Sequence, residues 1–158
     1  MQKGIYSEHN IQMVVFEISG KEYGISVYST KEVIQIPDIV EIPNAPEFIA
    51  GVINLRGKII AVVDLRKHFH FPGETTENSK IIIAKMNEMM IGLIVDRVYE
   101  VITISKSQID LVPQILNARI PQNCLVGIAK VDQRIISLLN LDNVLSREQV
   151  AQLSTHSI

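Results

Sequence analysis

The stretch Gly51-Val52-Ile53-Asn54-Leu55-Arg56-Gly57-Lys58-Ile59-Ile60-Ala61-Val62-Val63-Asp64-Leu65 reads as two apolar strands pinched around a turn. Residues 51–55 and 58–64 are rich in Ile and Val, whose branched side chains suit a pleated strand. Arg56-Gly57 supplies the residues of a tight hairpin turn, with one arginine at its tip. Ile59 to Val63 is apolar at every position, as is Ile81-Ile82-Ile83-Ala84. Side chains alternate between the faces of a strand, so such strands need cover on both sides. The stretch carries no catalytic group, and it points toward a protein that holds partners.

The same rhythm extends outward in both directions. Strands are expected at about 11–18, 22–27, 39–43, 51–55 and 58–64, then at 80–86, 90–95, 100–104, 124–131 and 134–139. Ser19-Gly20, Asn87-Glu88 and Asp132-Gln133 read as further hairpin turns. Many short strands with turn signals indicate a small barrel or sandwich. Helices are expected to be few. Ser29-Thr30-Lys31-Glu32 has the form of a capping box, and its helix should stop by Gln35 because Pro37 biases Ile36 out of helical geometry. Leu65 to Phe71 reads as one short helix before Pro72-Gly73. Ser146-Arg147-Glu148-Gln149 reads as a second capping box opening a terminal helix. The polar loop Glu74 to Ser79 is the best boundary between two halves, and Pro113 to Asn123 reads as an ordered surface loop.

The opening stretch has a faint copy. Shifted by 76, Gly51 falls on Gly127, Ile59-Ile60 on Ile135-Ile136 and Asp64-Leu65 on Asn140-Leu141. Shifted by 68, Val14–Ile36 falls on Ile82–Ile104, matching Gly24 to Gly92 and Glu32-Val33-Ile34 to Glu100-Val101-Ile102. The two shifts fit one repeat with eight extra residues in the 113–123 loop. Two similar five-stranded units follow, at about 11–72 and 80–145, with a helix and tail at 146–158. A unit of about 70 residues is marginal alone, so fusing two through an apolar seam is the expected solution.

The 158 residues are 47% hydrophobic and 20% charged, with net charge -2 and a pI near 6.1. That balance lacks the basic face a nucleic-acid surface needs. With no Trp, the chain also lacks the aromatic platform of single-strand binders. Apolar runs fall short of the roughly 20 residues that span a bilayer, and Met1-Gln2-Lys3-Gly4 opens no apolar signal region. One cysteine, Cys124, permits no intrachain disulfide, and a reducing cytoplasm is the expected location.

No reaction chemistry assembles. His68 and His70 lie two apart without a carboxylate or cysteine cluster, and read as solvated side chains at a helix end rather than metal ligands. Cys124 reads as a buried structural thiol. Asp64, Asp96 and Glu100 are scattered acids, with Asp96 a candidate cap for the segment after its strand. No cofactor, metal or catalytic residue is expected. What remains is surface: Arg56, whose planar fork can grip a carboxylate, and strand edges.

The order and spacing of these segments resemble one family. Gly51 to Arg66 is similar to the signature of the bacterial chemotaxis coupling (CheW-like) family. Glu22-Tyr23-Gly24-Ile25, Pro43 to Ile49, Ile91 to Asp96, Gly127 to Lys130 and Leu138 to Leu141 resemble further segments of it. The family commonly has proline where this chain has Ala61, a change a strand tolerates. The resemblance implies a mostly β fold of two five-stranded SH3-like barrels around a shared core. It implies a non-enzymatic cytoplasmic adaptor, recruited to receptor arrays, that joins the cytoplasmic hairpin of chemoreceptors to the regulatory domain of the histidine kinase CheA. Carried over by position, a kinase-facing surface would include Thr30, Glu32, Val33 and Gly51. Receptor contact would fall in the groove between barrels, at Arg56, Ile81, Val98, Val101 and Gly127. Each has a structural alternative: Glu32 as a capping residue, Val33 and Val101 as core, Gly51 and Gly127 as backbone necessities. An adaptor of a related surface-motility pathway, or a barrel binding small molecules or nucleic acid, is the alternative function.

Overall fold

The computed structural model describes residues 10–112, 120 and 122–156. The chain runs β1 (Asn10–Ile18), β2 (Lys21–Ser26), β3 (Thr30–Gln35), β4 (Ile49–Leu55), β5 (Lys58–Asp64), α1 (Leu65–His68), β6 (Lys80–Met86) and β7 (Met89–Val95). It continues through β8 (Arg97–Ser105), β9 (Ile109–Asp110), β10 (Leu125–Val131), β11 (Arg134–Leu139) and α2 (Arg147–His156). The fold is mostly β, in two sheets. One has the order β8-β1-β2-β11-β10-β9 and will be called sheet A; the other, β3-β6-β7-β5-β4, will be called sheet B.

The repeat is present element by element. Adding 76 carries β4 onto β10 without remainder and β5 onto β11. Adding 68 carries β2 onto β7 and β3 into β8. Register follows: Thr30 pairs with Ala84 and Val98 with Phe16, the same pairing with the halves reversed. The bulge between Ile49 and Gly51 recurs between Leu125 and Gly127. Even the caps repeat. Asp64 accepts from the Arg66 amide at 3.0 Å, and Asn140 accepts from the Asp142 amide at 3.1 Å.

The sheets do not follow the division of the chain into 11–72 and 80–145. Sheet A takes β1 and β2 from the first half and β8 to β11 from the second; sheet B takes β3 to β5 and then β6 and β7. The chain changes sheet at the turn Val27–Ser29 and again at Asp96, between β7 and β8. Each sheet is joined internally by a parallel pair between halves, β2 with β11 and β5 with β7. Neither half can complete a sheet without the other.

Three apolar clusters explain the doubly apolar strands. Val14, Phe16 and Ile18 of β1 enter a central cluster with Ile82, Ala84 and Met86 of β6. The alternate residues Met13 and Val15 face a cluster inside sheet A, with Ile104, Ala129, Ile136 and Leu138. Ile81 and Ile83 face the cluster inside sheet B, with Ile53, Ile60, Val62 and Ile94. All five strands of sheet B supply residues to that inner cluster, including Ile34 of β3, so the sheet curls around it. Each fully buried Ile or Val contributes roughly 1.5–3 kcal/mol before chain entropy is subtracted.

Several local expectations are corrected. Residues 30–35 form strand β3, and no helix starts at Ser29. Ser26 caps the short 3-10 turn Val27–Ser29 instead, accepting from the Tyr28 amide at 3.1 Å. Branched residues at 30, 33 and 34 favour the strand, and β6 supplies the ladder that local propensity could not anticipate. The strand expected at 39–43 reduces to one bridge, with the Val40 and Val52 amides and carbonyls paired at 2.9 Å. Pro37 and Pro43 flank it and have no amide to extend a ladder. Asp96 caps no helix: it accepts from the Ser19 amide at 2.7 Å and pairs with Arg66. The terminal capping box is present, with Ser146 and Gln149 each accepting from the other's backbone amide. Residues 113–119 and 121, most of the loop expected at 113–123, lie outside the described residues.

Candidate functional site

The β4–β5 turn has positive φ at both central residues, 50° at Arg56 and 90° at Gly57. That is the twist a two-residue hairpin requires. Asn54 locks the turn by accepting from the Gly57 amide at 2.8 Å. The arginine at the tip grips a carboxylate of its own chain. Its Nη1 donates to Glu32 Oε1 at 3.4 Å and its Nη2 donates to Glu32 Oε2, a bidentate pair. Glu32 lies on β3, three strand spacings from β5 and about 14 Å away in a flat sheet. Curling of sheet B brings them together. The hydrogen bond from Arg56 lowers the Glu32 carboxyl below its ordinary range, and Arg56 is raised in turn.

Beneath this pair lies a groove of about 460 Å³, lined by Leu55, Ile59, Ile60, Ala61, Met89 and Met90 together with Lys58. Ile59 and Met90 are exposed. On the same sheet Val33 is 41% exposed, and on sheet A its repeat counterpart Val101 is 52% exposed, so neither valine belongs to the core. Thr30 and Val98 are half-buried. Val98 packs against the central cluster.

Three of the candidates are interior. Ile81 is fully buried in the cluster inside sheet B. Gly51 and Gly127 are buried at the two equivalent bulges. A Cβ on Gly51 would lie 2.3 Å from the Val40 carbonyl oxygen, and its φ is 147°. A Cβ on Gly127 would lie 2.6 Å from Ile109 Cγ2. Both glycines let a neighbouring segment pass against the bulge. The candidates therefore divide: Thr30, Glu32, Val33 and Arg56 with Gly51 and Ile81 on sheet B, and Val98, Val101 and Gly127 on sheet A.

Sequence reasoning missed two clusters. Arg66, read as part of the signature only, has a 3% exposed side chain held by Asp64, Thr75 and Asp96. Arg134 donates to Glu22 at 2.6 and 3.0 Å and to Glu100 at 3.1 Å. Both partners raise its pKa, Glu22 the more strongly. The shift of 76, which maps Lys58 onto Arg134, was the available signal.

His68 is not a solvated side chain. It is half-buried, its ring centroid 5.6 Å from that of Phe48 and 5.0 Å from that of Phe69, and its Nε2 lies 2.6 Å from the Val144 carbonyl. Burial lowers its pKa. Cys124 is fully buried, and burial pushes its thiol up to about 11, the state of an unreactive structural cysteine. Among the described residues there is no group of three or more His, Cys, Asp or Glu side chains able to hold a metal, and no helix is long and apolar enough to cross a membrane.

Comparison with known proteins places this architecture. The CheW-like domain family matches residues 12–149. The chain is 34% identical over 138 residues to the chemotaxis protein CheW of Bacillus subtilis, covering 87% of this chain and 88% of that one. It is 31% identical over 141 residues to CheW of Thermotoga maritima, covering 89% and 91%. The crystal structure of the scaffolding protein TtCheW from Thermoanaerobacter tengcongensis superposes with a TM-score of 0.80 at 37% identity, covering 88% of this chain and 94% of that one. With the sequence signature, the paired sheets and these relatives in agreement, the chain belongs to the CheW-like domain family of chemotaxis scaffolding proteins.

Proposed function

We propose that the chain is a non-enzymatic adaptor that binds the cytoplasmic hairpin of chemoreceptors and the regulatory domain of the histidine kinase CheA, coupling receptor state to kinase activity. It would act in the cytoplasm, at membrane-associated receptor arrays, without cofactor or metal. The observation that carries this reading is the Arg56–Glu32 pair above an apolar groove: a bidentate ion pair, exposed at the tip of a rigid hairpin, flanked by solvent-facing Met90 and Ile59. Exposed apolar surface rimmed by polar groups is what a protein-binding site presents. Thr30, Glu32 and Val33 form the kinase-facing edge on β3. Arg56, Val98 and Val101 supply receptor contact. The buried Gly51, Ile81 and Gly127 shape the backbone behind them.

Arg56→Glu places two carboxylates together and leaves the core untouched. It is expected to weaken receptor-hairpin capture at least about tenfold, the size of one lost anchor. The thermal melt should move little, because an exposed ion pair contributes at most about 1 kcal/mol. Equal receptor capture by this variant removes Arg56 from the site. Glu32→Lys and Val33→Asp, tested against the CheA regulatory domain, separate the kinase edge in the same way: binding should fall with the melt retained. Unchanged binding by both variants sinks the assignment of β3.

A further inference from the structure

The repeat makes the groove on sheet B comparable, residue by residue, with the same place on sheet A. Its rim residues Lys58 and Glu32 correspond to Arg134 and Glu100, and its floor residue Met90 corresponds to Glu22. On sheet B the cation that reaches Glu32 comes from the turn, at Arg56, so it roofs the groove and leaves Met90 exposed below. On sheet A the cation comes from the strand itself. Arg134 lies across the sheet and joins Glu22 on β2 to Glu100 on the edge strand β8. The Arg134 side chain is 33% exposed where that of Arg56 is 70% exposed, so it sits in the surface rather than above it.

We propose that Arg134 is a specificity-determining residue. With Glu22 and Glu100 it fills on sheet A the groove that stays open on sheet B; on sheet A the repeat also places Asp132 for Arg56, Lys21 for Met89 and Ser137 for Ala61. Only sheet B then accepts an apolar partner side chain at this position. The rim there carries Arg56 and Lys58 against Glu32 alone. Its net positive charge suits an apolar side chain flanked by a carboxylate. The occupant is taken to be such a side chain of the CheA regulatory domain, which rests on the function proposed above. Glu22 in place of a methionine is the repulsive part of the device: an apolar side chain docked there would strip water from the Glu22, Arg134 and Glu100 charges and offer no polar contact in exchange.

The test exchanges the residues between sheets. Glu22→Met with Arg134→Lys gives sheet A the sheet B residues at these two positions, and Lys58→Arg with Met90→Glu does the reverse, with Arg56 and Asp132 left in their own turns. Crystals of each full chain soaked in isopropanol read the grooves without any partner. The wild type should hold isopropanol over Met90 and none over Glu22. The first variant should hold it over both positions, and the second over neither. Isopropanol over Glu22 in the wild type overturns the proposal, as does none over position 22 in the first variant. If the first variant does not fold, isopropanol retained at position 90 in the second overturns it. Calorimetric titration with the CheA regulatory domain then tests the occupant: the second variant should bind at least about tenfold more weakly. Failure of the wild type to bind overturns the kinase reading while the isopropanol result still decides the role of Arg134.

Discussion

Arg66→Met is expected to cost about 3–5 kcal/mol of folding stability, the range for removing one partner of a buried ion pair. For a chain of this size that lowers the melting temperature by roughly 6–20 °C. The Arg66 side chain is 3% exposed, and those of Asp64 and Asp96 are 8% and 21% exposed, so the substitution leaves two partly desolvated carboxylates facing each other's charge. The guanidinium also ties separate parts of the chain together. Its Nη2 donates to Thr75 at 3.1 Å, in the loop between the two halves. Its Nη1 stands 3.1 Å from Asp96 Oδ1, an ion pair without hydrogen-bond alignment. Asp96 in turn receives the Ser19 amide from the β1–β2 turn. One buried arginine thus connects the end of β5, the connecting loop, the crossover between sheets and a hairpin tip of sheet A. The double variant Arg66→Met, Asp96→Asn should lose less than the sum of the two single losses. Asparagine removes the orphaned charge yet keeps an oxygen for the Ser19 amide. Additive losses in a urea-unfolding cycle would show that the two residues do not interact.

Gly51→Ala is the second large effect. The new Cβ meets the Val40 carbonyl oxygen at 2.3 Å, against backbone that cannot swing aside as a side-chain tip would, and φ of 147° is strained for an L-residue. A loss of about 2–4 kcal/mol is expected from strain together with the broken Val40–Val52 bridge. Gly127→Ala should cost less, because its nearest neighbour is Ile109 Cγ2 at 2.6 Å, which a change of the Ile109 χ1 rotamer can withdraw, and the Asp110 carbonyl oxygen stands farther off, at 3.0 Å. The comparison of the two melts checks this. Equal destabilisation would mean that the bulges, not the neighbour, set the cost. Loss of partner binding in either variant must be read beside its melt, since both glycines are buried.

The β3 segment illustrates how a local pattern misleads. Ser29-Thr30-Lys31-Glu32 satisfies the spacing of a helix start, but the Glu32 carboxylate goes to Arg56, 24 residues away, and the strand is fixed by a ladder to β6. Capping signals describe what a backbone can do alone. They carry no weight against the ladder to β6 along one edge and the packing of Ile34 against the cluster inside sheet B. Arg66 was invisible for the opposite reason. An arginine in a sequence reads as surface, and only packing shows that two aspartates and a threonine have drawn it inside.

Some properties of this protein followed from sequence alone because they depend on periodicity. Strands apolar on both faces required layers on both faces, and the shifts of 68 and 76 required two equivalent units. Those demands are met by the three apolar clusters and by β4 and β10, which match to the residue. Which strands join which sheet was decided only by tertiary structure. A strand's pattern of alternation is the same whichever edge it pairs with, so β3 could have stayed with β1 and β2 as readily as it crossed to β6. The pairing of Arg56 with Glu32, and the contrast between the open groove on sheet B and the bridged one on sheet A, arise from that crossing and from the curl of each sheet. They are distances between residues far apart in the chain, and the linear order of side chains does not encode them locally.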